Sequence, residues 1–227
     1  MRLSTVIKDY DDTRLFRYLQ EEIEDKGNQQ ELMQMTKCYY PDEEEDCTSL
    51  QLALYHHKSK EVIFKMVDIG GKQLVMKKNE YGSTALRWVC WNENISVDIV
   101  SKLLEVGGRE LLMVNALYGG TALHALCENE KASVYIVSKL IKIGGKELLM
   151  MNDEYKETVL HEVCMNENVS VDIVSKLLEV GGKELVMMND EDGCTALHAA
   201  CHNKNVSVDV VSKLLEVSGR ERTTNDE

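Results

Sequence analysis

Apolar positions recur along this chain in two alternating clusters separated by polar breaks. In the stretch after Thr158, which fits an N-cap, Val159-Leu160-His161-Glu162-Val163-Cys164 predicts a short first helix. Asn166-Glu167-Asn168 breaks it. Ser170 then caps a second helix, Val171 to Val180, in which Val171, Ile173, Val174, Leu177 and Leu178 form an apolar stripe at helical spacing. Gly181-Gly182 supplies a left-handed stop. The chain from Lys183 to Cys194, with Leu185, Val186, Met187 and Met188 ahead of a polar turn at Asn189-Asp190-Glu191-Asp192-Gly193, predicts a projecting hairpin-like loop.

This pattern returns every 37 residues: Thr84-Ala85-Leu86, Thr121-Ala122-Leu123-His124, Thr158-Val159-Leu160-His161 and Thr195-Ala196-Leu197-His198. A Cys follows each (90, 127, 164, 201), and Gly-Gly closes three of the second helices (107-108, 144-145, 181-182). A fixed period in this range marks a stack of supersecondary units, none of which buries its apolar face alone. The expected organisation is one continuous array: a helical capping segment over 1–42, a divergent repeat over 43–79, then repeats at 80–116, 117–153, 154–190 and 191–227, the last with a polar tail. In the cap, Leu15, Phe16, Leu19 and Ile23 form an apolar helix face opposed by Asp12, Glu21, Glu22 and Glu24. The last repeat keeps Val208, Val210, Val211, Leu214 and Leu215 and then turns polar, so that end is either exposed or covered.

Composition narrows the function. A net charge of −13 opposes binding to a phosphate backbone, so nucleic acid is excluded as a partner. Residues 1–46 carry 13 Asp and Glu against 6 Lys and Arg, which favours a basic partner. No run approaches the ~20 apolar residues of a membrane span, and the charges within residues 1–10 leave no signal-peptide core. The expectation is a soluble, cytoplasmic protein with the nucleus left open, whose seven cysteines are reduced thiols.

The repeat resembles the ankyrin repeat, whose signature is a turn, Thr-Pro-Leu-His-x-Ala and two antiparallel helices. Asp192-Gly193-Cys194-Thr195-Ala196-Leu197-His198-Ala199-Ala200 carries the resemblance most fully, and it extends over 47–217. The chain departs from the pattern with Ala or Val for Pro at 85, 122, 159 and 196, with Arg87 for the first motif His, and with a period longer than the family's ~33. The resemblance implies an all-α ankyrin-repeat solenoid of stacked helix-turn-helix units with projecting hairpin-like loops. It also implies that the motif His bonds the motif Thr and the neighbouring loop, and that the cysteine column fills small buried Ala positions.

No catalytic grouping emerges, and the chain is expected not to be an enzyme. The histidines of adjacent repeats would stack ~8–10 Å apart, too far to share zinc at ~2.0–2.1 Å. The cysteines fail the ~7 Å Cα limit for a disulfide in the same way. Cys47 and Cys194, at turn positions, are the thiols expected to react. Cys194, His198 and His202 share a helical face at i, i+4 and i+8, and His198 with His202 is the metal-binding alternative. Cys194 and His202 would stand ~12 Å apart on a helix axis, so no metal and no cofactor are expected.

Repeat-to-repeat comparison separates scaffold from free positions. Ser-Val-Asp-Ile-Val-Ser-Lys-Leu-Leu-Glu-Val is identical at 96–106 and 170–180, whereas variation collects at the turn and at the end of the first helix. The resemblance implies that these variable places meet partners: Glu80, Tyr81, Ser83 and Trp91; Leu117, Tyr118, Gly120 and Glu128; Glu154, Tyr155, Glu157 and Met165; Glu191, Asp192, Cys194 and His202, with Glu44 and Glu45 from the divergent repeat. Tyr81, Tyr118 and Tyr155 stand in register as a potential ladder, of the residue type that anchors interfaces. The function expected is binding of a basic protein or peptide through the loop tips and the concave first-helix face, as a monomer or with weak self-association. The alternative is assembly of copies through the apolar C-terminal end.

Overall fold

The computed structural model describes residues 3–39, 44–117 and 120–219. Contacts divide the chain into two compact units, one holding 1–89 with 96–116 and the other 90–95 with 117–227.

In the first unit the chain begins with α1 (Leu3–Asp9) and α2 (Asp12–Tyr18), and α2 is capped by the Asp11 carboxylate, which accepts from Arg14 N at 2.8 Å. A π-helical segment, Leu19–Glu24, continues α2. Leu15, Leu19 and Ile23 are fully buried as their spacing predicts, while Phe16 is exposed because the i→i+5 winding turns the stripe away from it. A 3-10 turn, Gln29–Met33, leads into an antiparallel hairpin of β1 (Met35–Tyr39) and β2 (Glu44–Thr48), an element the helical reading of the cap does not contain.

The remaining elements of this unit are α3 (Ser49–Tyr55), α4 (Lys60–Val75), α5 (Ala85–Trp91), whose last two residues fall in the second unit, and α6 (Val97–Leu112). Ser59 and Ser96 cap the long helices by accepting from Val62 N and Ile99 N. Ion pairs join successive long helices, among them Lys60 with Asp98 at 2.8 Å and Lys102 with Asp68 at 2.7 Å.

The second unit repeats one design three times: α7 (Ala122–Glu128) with α8 (Val134–Leu149), α9 (Val159–Met165) with α10 (Val171–Val186), and α11 (Ala196–His202) with α12 (Val208–Gly219). Like helices pack on like, α7 on α9 on α11 and α8 on α10 on α12. Leu123, Leu126, Val137, Leu140, Leu160, Val174 and Leu177 form its core, and burying each such side chain stabilises the unit by about 1.5–3 kcal/mol.

The loops project less than the sequence suggests. The double glycine does interrupt the helix, with Gly182 at φ 59°, ψ −156°, a region essentially reserved for glycine, but a further helical turn follows to Val186 where a loop was expected. That extra turn buries Leu185 and Val186, and Leu185 packs so close to Gly181 that a Cβ there would lie 2.5 Å from its Cδ2. Only the turn beyond Met188 stands out, closed by a bridge between Asn189 and Thr195 that repeats the bridge between Asn152 and Thr158. Gly70-Gly71 places the same kink in α4 of the divergent repeat.

Candidate protein-binding surface

The motif residues are structural. Thr158 N donates to His161 Nδ1 at 3.1 Å, closing a capping box, and the ring proton therefore sits on Nε2, which donates to Cys194 O at 3.2 Å in the next repeat. Burial holds the His161 pKa below the ordinary imidazole value. Thr121 with His124 and Thr195 with His198 form the same box. In the first unit Gln51 takes the histidine's place, accepting from Thr48 N through Oε1 and donating through Nε2 to Ser83 O at 2.9 Å. Gln three positions after Thr48 is the signal in the sequence that locates this role.

Cys90, Cys127 and Cys164 are buried fillers, and burial pushes the Cys164 thiol up to about 12. Cys47 was expected to be reactive but is fully buried, because β2 carries it against α3. Cys194 is half-buried, and Cys201 is the exposed thiol of the column. His198 Nδ1 is occupied by Thr195 N, and His202 Nδ1 lies 3.0 Å from His198 O. Cys194, His198 and His202 do not converge at metal-ligating distance among the described residues.

The loop tips of the second unit are built on aspartates. Asp153 Oδ1 accepts from Tyr155 N at 3.0 Å and Glu157 N at 2.8 Å, and Asp190 Oδ1 accepts from Asp192 N at 3.0 Å and Cys194 N at 2.8 Å. Glu191 N donates to Tyr155 O at 2.8 Å and ties the two tips side by side. Glu154, Glu191 and Asp192 are exposed at these tips, as is Tyr155 at 52%. The Glu154 carboxylate, foremost, raises the Tyr155 phenol above its ordinary pKa. Trp91, Glu128, Met165 and His202 each close a first helix; Trp91, Met165 and His202 are exposed and Glu128 half-buried. Leu117 is exposed, and Tyr118 lies outside the described residues.

Behind the tips, carboxylate oxygens of Asp153, Glu157 and Glu162 lie within 4.8 Å of one another. Burial first, then Asp153, Asp190, Glu128 and Glu191, lifts the Glu157 pKa. Glu162, 9% exposed, is absent from the sequence-derived set. Its signal is a Glu where repeats on either side have Ala125 and Ala199.

The first unit presents one tip of the same kind. Asn79 Oδ1 accepts from Tyr81 N at 3.1 Å and Ser83 N at 2.8 Å, which leaves Tyr81 half-buried and Ser83 buried. Glu80 is exposed and accepts from Asp46 N at 2.7 Å through Oε1. The side chains of Glu44 and Glu45 lie outside the described residues.

Residues 123–226 match the family model for ankyrin repeats (3 copies). The crystal structure of EF0377, an ankyrin repeat protein, aligns with a TM-score of 0.68 at 20% identity, over 94% of this chain and 96% of that one. Residues 123–226 thus carry the similarity to ankyrin repeats, and the structural match extends the fold over the rest of the described chain. No curated protein matches it. The fold class is that of the all-α ankyrin solenoid, with little strand. Ankyrin repeats are in general protein–protein interaction modules without catalytic activity. No helix among the described residues is long and apolar enough to cross a membrane.

Proposed function

We propose that this ankyrin chain binds a basic protein or peptide through the loop tips and first-helix ends of its second unit, as a non-enzymatic interaction module. The observation that carries the reading is the exposure of Tyr155 beside the carboxylates of Glu154 and Glu191, with Asp192 exposed on the adjoining tip. Its ring offers stiff, amphipathic contact area at small entropic cost, and the carboxylates steer and orient a cation-bearing segment. Met165, Trp91 and Leu117 add exposed apolar area on the same unit, and Glu128 and His202 complete the set. Glu80 and Tyr81 form a second acidic and aromatic tip on the first unit.

Capture from a cell extract tests this, comparing the wild type with a Tyr155→Ala, Trp91→Ala, Met165→Ala variant of unchanged helical circular dichroism. Basic proteins retained by the wild type alone, with an association rate that falls as the Debye length drops below ~10 Å, are the expected result. Equal retention by both chains moves the interface elsewhere.

A further inference from the structure

In the first unit, His56 ends α3 as its C-cap, and its Nε2 is shut from solvent with no hydrogen-bond partner among the described residues. A buried polar atom in that state costs free energy, and folded proteins hold few of them. The ring stands edge-on to Tyr55, with centroids 5.2 Å apart and planes at 81°. Burial first, then Lys58, Lys8 and His57, holds the His56 pKa below the ordinary imidazole value, so the charges acting on the ring among the described residues are all cationic. Lys8 comes from α1, and His57 and Lys58 from the turn after α3. The other elements packed on α3, namely α4, the β1–β2 hairpin and the 3-10 turn, bring no carboxylate among the described residues to bear on it.

The turn that carries this ring also fastens the N-terminal helices. Lys58 donates from Nζ to Tyr10 O at 2.5 Å, and the same ammonium stands 3.9 Å from Asp12 Oδ1. Asp12 Oδ2 accepts from Ser59 N at 2.8 Å. Between His56 and Lys58, His57 sits at φ 50°, a left-handed backbone that a side chain disfavours. We propose that His56 is an acid-sensitive trigger in this joint, whose protonation releases α1 and α2 from the divergent repeat. A second proton makes both ring nitrogens donors. Nε2–H then has no acceptor, and a new cation faces Lys8 and Lys58 in a partly desolvated place. Moving α1 away relieves both, because it takes Lys8 from the ring and opens Nε2 to water, at the loss of the bond between Lys58 and Tyr10. The closed joint is favoured above the ordinary imidazole value near 6.5, and that preference is lost as pH falls through it toward the lower folded pKa. Opening bares Leu3, Val6 and Ile7, which α1 buries in the closed form. This trigger is separate from the tips around Tyr155 and does not depend on their role.

Amide hydrogen exchange of the full chain at pH 7 and pH 5 tests this, read as protection factors so that the intrinsic pH dependence cancels. Protection over α1 and α2 should fall severalfold, up to the roughly 25-fold ceiling that one ordinary imidazole sets over that range, while α6 stays protected. His56→Leu should abolish the fall, and His161→Gln should leave it unchanged. Constant protection in the wild type overturns the proposal, as does an equal fall in His56→Leu or a loss shared equally by α1 and α6, which is global unfolding. Titration of the His56 ring in the wild type by nuclear magnetic resonance checks the same point without a substitution. A ring that titrates at or above the ordinary value overturns it too.

Discussion

His161 Nε2 and Cys194 O are joined across a repeat boundary at 3.2 Å, while Nδ1 of the same ring accepts from Thr158 N, a bond that exists only while Nδ1 carries no proton. Burial lowers the folded pKa of His161, so the unfolded chain binds the proton more readily. Stability is full above the unfolded value near 6.5 and is lost as pH falls through it toward the lower folded pKa. Gln51 makes the same pair of bonds with an amide that does not titrate. His161→Gln should therefore keep stability at pH 7 within about 0.5 kcal/mol and flatten its decline between pH 7 and 5, read from urea midpoints across that range.

Asn166 binds two repeats together with one side chain. Nδ2 donates to Cys127 O at 2.8 Å and Glu128 O at 3.0 Å, while Oδ1 accepts from Asn168 N at 2.8 Å. Asn166→Ala strands two part-buried carbonyls and an amide. It should cost about 1–3 kcal/mol in urea denaturation, far more than the few tenths expected of Asn205→Ala at an exposed turn.

What the sequence conveyed well was periodic. Val159 to Met165 and the stripe Val171, Ile173, Val174, Leu177 and Leu178 have the spacing of buried helix faces, and the fold buries the stripe apart from Val171, which is half-buried. The break at Gly182 was legible, but the helical turn beyond it was not, because its signal is tertiary: Leu185 packs against a bare Gly181. Cys47 shows a second limit. Its local pattern is a turn, whereas it lies in β2, which pairs with β1 and carries it against α3. Cys201 shows a third, since its own sequence matches Cys164, yet Cys164 is buried beneath the next helix pair and Cys201 is exposed. At the loop tips, register in the sequence identified Tyr155 and Glu154, but not Glu162, whose neighbours Asp153 and Glu157 come from the preceding turn.

Lys156 occupies a left-handed position, φ 61°, where the corresponding turns use Gly82 at φ 75° and Gly193 at φ 80°. A side chain there costs about 1–2 kcal/mol, and glycine returns part of that gain through the entropy of the unfolded chain. Lys156→Gly should stabilise by roughly 0.5–1 kcal/mol. Lys156→Ala, which keeps the Cβ, should change little. Thermal unfolding of the three chains side by side checks the difference.

Glu157 titrates in the opposite sense to His161. Burial, then Asp153 and the neighbouring carboxylates, raises its folded pKa above the ordinary 4.5, so the folded chain holds the proton more tightly than the unfolded one. Its contribution is most favourable below the unfolded value and is lost as pH rises through the raised folded pKa. Glu157→Gln removes that charge and keeps the backbone bond to Asp153, which Glu157 makes through its own N–H at 2.8 Å. With solvent screening discounting the effect, the melting temperature should rise by roughly 1–2 °C at pH 7 and coincide with the wild type near pH 4. A gain of equal size at both pH values would mean that the amide packs better. A gain confined to neutral pH would place the cost in the carboxylates crowded behind Tyr155, the charge a basic partner would neutralise.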